Sequence, residues 1–444
     1  MPNSTRSRPA LACILAAASL LPAVAARADD SADDAWFNAN LPALLTLYRD
    51  LHSHPELSFH EVKTSAKVAQ ELKAAGLEVT TGVGKLGVVG ILKNGEGPLV
   101  MVRTDLDALP VTEETGLPFA SKQTSKNAAG QTVGVMHACG HDVHMSCLVG
   151  TARRLAAHRD DWKGTVMFIG QPAEEAIGGA EAMLADGLYE RFGKPSAALA
   201  LHCAPDLATG RVAYTSGPAM AGSTSVDVVV RGRGGHGAYP HTTVDPVVLA
   251  ALLVLDLQTI VAREVNPIHP AVVTVGSIHG GFKHNIISNQ VDLQLTLRSF
   301  QDSVDKQLVD AIKRRVKGLA EAHNAPAGSV TIVETTPPTV NTPTLVAKVL
   351  PALKRVCGDA GVELVEPAMG AEDFGLYGQG GVPTFMFRLG TIPPEKIADA
   401  KSKGESLPSL HSSKFQPDAA PSIRTGIRAM TAAVIELLPP ASKP

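Results

Sequence analysis

Five short segments of this 444-residue chain concentrate side chains that bind metal ions or move protons. They are Arg103-Thr104-Asp105-Leu106-Asp107, the run from His137 to His144, Gln171-Pro172-Ala173-Glu174-Glu175, Leu201-His202 and Leu410-His411-Ser412. Cys139 and His141 stand two apart across Gly140, so a thiolate and an imidazole can face one ion, with glycine permitting the tight backbone this needs. Taken alone, a Cys beside a capping His is more often inert core. Glu174 and Glu175 are adjacent carboxylates behind an apolar run, and they point in different directions. One can bind an ion while the other faces a substrate water, although an isolated pair also suits the acidic start of a helix. His202 and His411 gain their weight only from the pattern. A divalent cation would acidify a bound water and polarise a carbonyl, and a nearby carboxylate would carry the proton to a leaving nitrogen. That chemistry needs no Ser or Cys nucleophile. Thiolate and imidazole favour Zn²⁺, while the carboxylates also admit Mn²⁺.

Each segment follows or ends a predicted strand, and in an open α/β sheet ligands bind beyond the carboxyl ends of the strands. Helical spacing covers 35–52 and 60–76, the second ending at Gly76 as a C-cap would. Strand-like runs follow at 77–79, 87–92 and 98–102, the last continuous and apolar, as in a strand buried on both faces. A helix at 142–158, a strand at 164–170, a helix at 177–187 and a strand at 197–202 continue the alternation. This predicts an α/β fold with a largely parallel sheet. The middle of the chain differs. A strand at 225–231, an apolar helix at 244–263, strands at 271–279 and 290–300, an amphipathic helix at 303–323 and a strand at 329–334 read as a small α+β unit of ferredoxin-like type. The α/β pattern resumes with a helix at 344–359, a strand at 384–389 and a helix at 417–437. The expected organisation is a leader at 1–28, a catalytic domain in two parts (29–213 and 326–444), and an inserted domain at 214–325.

Hydrophobic residues make up 45% and charged residues 19%, which excludes a disordered chain. With 40 Lys plus Arg against 43 Asp plus Glu, there is no basic excess to neutralise a phosphate backbone, so general nucleic-acid binding is excluded. Five Cys cannot form a disulfide framework. Arg6, Arg8, the apolar run Ala10 to Ala26 and the small-x-small triplet Ala26-Arg27-Ala28 read as a secretory signal peptide cleaved near Ala28. A periplasmic or secreted location follows, in which Cys139, Cys147, Cys203 and Cys357 must be buried, paired or bound to metal. No later stretch reads as long and apolar enough to span a membrane.

Taken together, the motifs resemble the M20 metallopeptidase and amidohydrolase family, and more closely its aminoacylase-like branch of hippurate hydrolases and indole-3-acetyl-amino-acid amide hydrolases. The matching text is His52 to Ser58, Arg103 to Pro110, Met136 to His144, Gln171 to Gly178, Gly234 to His241, His284 to Ser288, Gly370 to Phe374 and Leu410 to Phe415. It runs in the expected order over roughly residues 40 to 435. The resemblance implies a zinc-peptidase-like α/β catalytic domain carrying an inserted dimerisation or lid domain. It implies two divalent ions, Zn²⁺ or Mn²⁺, per subunit on Cys139, His141, Glu175, His202 and His411, with Glu174 as general base and Asp107 as a supporting carboxylate. It also implies that His236 closes over a site, commonly the partner subunit's, to bind the carbonyl oxygen, and that Asn285, Arg298 and Gly370 contact substrate. The peptidase branch has His where Asp105 stands and a bridging Asp near Cys139 and His141. One of the two ions is therefore expected to bind more weakly.

The implied substrate is an N-acyl amino acid with an aromatic or hydrophobic acyl group, such as hippurate, an indoleacetyl amino acid or an aryl-phenylalanine amide of the ochratoxin A type. The implied assembly is a homodimer or a larger even-numbered oligomer, with no membrane attachment after leader removal. Two other readings compete: a carboxypeptidase or dipeptidase of the same family, and a catalytically idle binding protein. The intact Glu174-Glu175 pair and full ligand set argue against the second.

Overall fold

The computed structural model describes residues 28–127 and 129–440, so the expected leader lies outside the described residues except for Ala28. Two compact units divide the chain between Asn40 and Leu41. The first is helical from Ala28 and contains an edge-to-face Trp36–Phe37 pair. The second holds both principal sheets and every residue discussed below.

In chain order the strands are β1 (Glu78–Val83), β2 (Gly87–Asn94), β3 (Leu99–Asp105), β4 (Gly164–Gln171), β5 (Ala197–Ala208) and β6 (Val212–Tyr214). Then come β7 (Gly222–Arg231), β8 (Ala271–Gly280), β9 (Gln290–Ser299), β10 (Ser329–Thr336), β11 (Val362–Leu364) and β12 (Thr384–Ile392). The large sheet has eight strands in the order β1-β2-β4-β3-β5-β12-β6-β11. Its centre, β4-β3-β5-β12, is parallel, whereas β1 and β2 pair antiparallel on one side and β6 meets β12 antiparallel on the other. The sheet is thus parallel where the apolar runs are continuous and mixed at its flanks. β3 and β4 are buried nearly throughout, because helices cover both faces of the centre. The helices His141–Ala157 and Ala419–Leu437 pack together on it, Gly426 approaching so closely that a Cβ would lie 2.5 Å from Cys147 Sγ.

The second sheet has four antiparallel strands in the order β8-β9-β7-β10. With the helices Pro246–Arg263 and Asp302–Ala322 it forms the β-α-β-β-α-β unit expected from the sequence. β7 and β9 alternate inward and outward residues, and the inward set (Val226, Val228, Leu293, Leu295) meets Leu253 and Ile312 in a separate core. β10 pairs with β7 beyond position 325, where the inserted segment was expected to end. One expectation fails here. The helix Pro246–Arg263 has a mean hydropathy of 1.8 and is long and apolar enough, by length and composition, to cross a membrane. It is amphipathic in placement: Leu249, Leu253, Leu257 and Ile260 are buried on the sheet, while Val247, Val248, Leu252 and Leu255 are exposed.

Candidate metal centre

The chemistry-bearing side chains gather beyond the carboxyl ends of β3, β4 and β5. β3 ends at Asp105, with Asp107 two residues on. Cys139 and His141 flank Gly140, which caps the helix His141–Ala157 at φ +85°. A Cβ on Gly140 would sit 2.8 Å from Cys203 Sγ, so both backbone conformation and space demand glycine there. After β4 the chain bends sharply. Ala173 and Ile177 adopt positive φ on either side of the Glu174-Glu175 pair, and the Ala173 N–H donates to buried Glu61 Oε1 at 2.7 Å. His202 lies within β5. His411 is held at φ +66° with its backbone N–H on the Ala138 carbonyl at 2.9 Å, and it forms the exposed side of the cluster.

Three overlapping groups place their ligand atoms within 4.8 Å of one another: Cys139 with His141 and His202, Cys139 with Glu175 and His411, and His141 with Glu174 and Glu175. All five expected ligands and the expected base are therefore brought together. Cys139 Sγ is 3.5 Å from His202 Nε2. His141 Nε2 is 3.7 Å from Glu175 Oε1 and 3.8 Å from Glu174 Oε2, and Glu175 Oε1 is 3.5 Å from His411 Nε2. The imidazoles are turned by their backbones. His141 Nδ1 bonds the Asp107 carbonyl at 2.8 Å, and His202 Nδ1 bonds the Cys203 carbonyl at 2.9 Å. Each therefore keeps a proton on Nδ1 and aims Nε2 into the cluster, as metal-ligating histidines do. His141 Nε2, Glu175 Oε1 and Asp107 Oδ1 are buried without a hydrogen-bond partner. Buried polar atoms are rarely left so, and two of these, His141 Nε2 and Glu175 Oε1, lie 3.7 Å apart, where one cation would satisfy both. The donor set of one thiolate, three imidazoles and a carboxylate fits a divalent transition ion.

Behind the ligands lies a charge network that sequence reasoning did not assign. Buried Arg103 donates to Asp105 at 2.7 Å, Glu372 at 2.8 Å, Asp373 at 3.1 Å and Gln171 at 2.9 Å. His144 Nε2 accepts the Cys203 backbone N–H at 2.8 Å, so Nδ1 holds the proton and donates it to Asp105 Oδ1 at 2.7 Å. Both oxygens of Asp105 are thus engaged, and His144 braces β3 against β5 rather than facing the cluster. Asp107 Oδ2 accepts from Ser58 at 2.6 Å and from the Glu175 backbone N–H at 2.9 Å, which ties Asp107 to the backbone of the Glu174-Glu175 turn. The only sequence signal for this network was the charge density of 103–107 beside an apolar strand; its partners lie up to 270 residues away.

Electrostatics point the same way. Burial, then the carboxylates of Glu372 and Glu175, hold Glu174 well above the usual carboxylate range. Burial lifts Glu175 to about 7 against the pull of His141. The Cys139 thiol is pushed up by burial and by Glu175 and Glu174. Burial disfavours charge on His141, but Asp105 and Asp107 outweigh it and raise the group to about 10. Asp105 and Asp107 instead lie below the usual carboxylate range despite their burial, held there by His141, and burial keeps His202 and His411 low, so these two imidazoles are neutral and open to an ion. A cation would favour the ionised forms of Glu174, Glu175 and Cys139 and the neutral form of His141. The thiols also meet their expectation in part: Cys139, Cys147 and Cys203 are buried and unpaired, and Cys357 is half-buried.

Four predicted residues lie outside the cluster. His236 is exposed on a two-residue strand beside Ile286, and its Nδ1 accepts the Ala238 N–H at 3.1 Å, which leaves the proton on an outward Nε2. Asn285 is exposed, and its backbone carbonyl accepts the Gly237 N–H at 2.9 Å. Arg298 sits half-buried on β9 with Glu334 as its charged neighbour. Gly370 is exposed and abuts Met220, a Cβ there lying 3.2 Å from Met220 Cε. Against the cluster itself opens a cavity of about 560 Å³ that Glu175 shares with Leu57, Ala108, Leu109, Pro110 and Lys126.

Residues 101–432 match peptidase family M20/M25/M40. The chain is 36% identical to an N-acetylcysteine deacetylase of Bacillus subtilis (strain 168) over 357 residues, 80% of this chain and 89% of that protein. It is 35% identical to thermostable carboxypeptidase 1 of Saccharolobus solfataricus (84% and 90% covered) and to IAA-amino acid hydrolase ILR1-like 2 of Arabidopsis thaliana (76% and 74%). Among solved structures it resembles an aminohydrolase of methicillin-resistant Staphylococcus aureus, with a TM-score of 0.81 at 32% identity over 91% of this chain and 98% of that one. It also resembles the YXEP protein of Bacillus subtilis, a dinuclear metal binding peptidase from the M20 family, with a TM-score of 0.71 at 30% identity over 90% and 99%.

Proposed function

Because the chain belongs to peptidase family M20/M25/M40, we propose that this hydrolase is a metal-dependent amidohydrolase that cleaves N-acyl amino acids bearing an aromatic or hydrophobic acyl group. The observation that carries the substrate class is the 560 Å³ cavity, whose Leu57, Ala108, Leu109 and Pro110 wall meets the cluster at Glu175. That volume suits a small-molecule ligand, and the apolar wall suits an aryl or alkyl acyl group. The names of two relatives, an N-acetylcysteine deacetylase and an IAA-amino acid hydrolase, support an N-acyl amino acid substrate.

Cys139, His141, Glu175, His202 and His411 would hold two ions, Zn²⁺ or Mn²⁺, with Asp105 already spent on Arg103 and His144. A bound divalent ion supplies Lewis-acid polarisation of the amide carbonyl and a more acidic attacking water. Glu174, within the cluster and with no hydrogen bond to its carboxylate from the described residues, takes the water's proton and passes it to the leaving nitrogen. His236, with its proton fixed on Nε2, donates to the developing oxyanion when the second sheet closes. The exposed Val247, Val248, Leu252 and Leu255, beside the open edge of β8, form the face on which two copies would pair, so that His236 serves the partner's site. The leader read at the N-terminus would direct the protein out of the cytoplasm.

A panel of N-acyl amino acids and dipeptides, assayed with and without chelator, tests this reading. Chelator-sensitive release of amino acid from benzoyl- or indoleacetyl-amino acids is the expected result. Turnover of dipeptides alone would favour a carboxypeptidase, as one relative's name suggests.

A further inference from the structure

We propose that Arg388 is the anchor for the substrate's α-carboxylate. The inference rests on the amidohydrolase reading above and adds a specificity-determining residue to it. Arg388 lies on β12, which runs parallel to β5 with Arg388 in register with His202. Residues in register on neighbouring strands project to the same sheet face about 4.8 Å apart, so Arg388 leaves the sheet on the side where His202 enters the cluster. Its side chain lines a cavity of about 40 Å³ together with His202, Tyr214, Thr215, Glu366 and Leu410, the residue before His411. A single water needs roughly 10–15 Å³ of such space, so a carboxylate-sized group fits.

Position and chemistry agree. In an N-acyl amino acid the carboxyl carbon is two bonds from the scissile nitrogen, so the anion must sit immediately beside the cluster. A cavity that shares His202 with the cluster meets that requirement. The surroundings are rich in carboxylates: Asp105, Asp107, Glu174, Glu175, Glu372 and Asp373 would repel an anionic substrate. Arg103 cannot receive it, because its donors are committed to Asp105, Glu372, Asp373 and Gln171. Arg388 is half-buried and makes no ion pair or hydrogen bond with the described residues, Glu366 included. A guanidinium fork free in a cavity presents the geometry that a carboxylate takes in a bidentate pair. The 560 Å³ cavity at Glu175, walled in part by Leu57, Ala108, Leu109 and Pro110, and the cavity that Arg388 lines at His202 then divide the substrate between them, acyl group in one and carboxylate in the other.

The test compares benzoylglycine with benzoylglycinamide, in which a neutral carboxamide replaces the anionic carboxylate assigned to Arg388. Binding is measured by calorimetry on metal-loaded protein carrying Glu174→Gln to block turnover, with and without Arg388→Ala, Arg388→Lys or Arg298→Ala. Metal content is measured on every sample. The expected result is that Arg388→Ala weakens the acid roughly ten- to hundredfold, leaves the amide within about twofold, and leaves metal content intact, with Arg388→Lys in between. The proposal is overturned if Arg388→Ala changes acid and amide alike, or if Arg298→Ala rather than Arg388→Ala removes the acid preference. Turnover by the unaltered protein separates the two readings. Hydrolysis of benzoylglycine with no dependence of acid binding on Arg388 sinks the anchor and keeps the amidohydrolase. Arg388-dependent acid binding with no hydrolysis of any N-acyl amino acid keeps the anchor and sinks the amidohydrolase.

Discussion

The metal cluster and the loop around His236 are both expected to touch one substrate, yet they are built on opposite terms. Cys139, His141, Glu174 and His202 are buried, and the two imidazoles are oriented by the Asp107 and Cys203 carbonyls. His236, Asn285 and Tyr239 are exposed, and their hydrogen bonds are local ones to Ala238, Gly237 and one another's backbone. A cluster of like charges can be held in advance only by a rigid frame, because repulsion would scatter it; here Arg103, His144 and Glu61 provide the bracing. A donor that must wait for an oxyanion needs no such frame. It needs a fixed tautomer and room to travel.

This contrast is sharpest in what it predicts for mutants. Glu174→Gln should lower kcat by about 10² to 10⁴ with metal content and melting temperature retained; loss of metal would mean that Glu174 is a ligand. His236→Ala should lower kcat by about 10² to 10³ and change KM less, again with full metal. Mixed dimers of His236→Ala and Glu174→Gln chains should regain activity if His236 acts across subunits, and verified heterodimers without activity would place it in its own chain's site. His144→Ala removes a brace and no ligand. A loss of about 10- to 100-fold in metal affinity is expected by chelator competition, with kcat recovering at saturating metal. A drop in kcat that saturating metal fails to restore would put His144 in the chemistry instead.

The smallest effect concerns the frame alone. Burial opposes charge on His52, but its bonds to Asp142 at 2.6 Å and Glu113 at 3.0 Å outweigh burial and raise it to about 10. Because the folded value is raised, the stabilisation is complete below the unfolded value of 6.5 and fades as pH climbs through about 10. His52→Asn should flatten the melting temperature profile between those limits. An unchanged slope would show that the pair contributes nothing there.

The same contrast explains what could be read from the chain alone. Strands β3, β4 and β5 were legible because burial on both faces leaves an unbroken apolar run. Glu175 and His202 were legible because they lie just past or within such a run, whereas Cys139 and His141 stand at a helix start and His411 in a turn, so those three were read from the motif resemblance. The Arg103 network was not legible, since a buried charge is explained only by partners that folding brings from far along the chain. The short strands Val212–Tyr214 and Val362–Leu364 carry too few residues for a period to show. The helix Pro394–Lys403 went unread because it buries little besides Ala400 and so shows no apolar stripe. The helix Pro246–Arg263 was legible as apolar, but the split between its buried face (Leu249, Leu253, Leu257) and its exposed face (Val248, Leu252, Leu255) was not, since both faces carry apolar residues.

Metal reconstitution tests the central claim most directly. Protein stripped by chelator is titrated with Zn²⁺ or Mn²⁺ while bound ion and benzoylglycine hydrolysis are followed together. Negligible hydrolysis in the stripped protein is expected, rising with bound ion to about two per chain, the second binding more weakly, with Cys139→Ser shifting the curve to higher metal. Undiminished hydrolysis by metal-free protein, or tight binding of both ions unaffected by Cys139→Ser, would contradict the account.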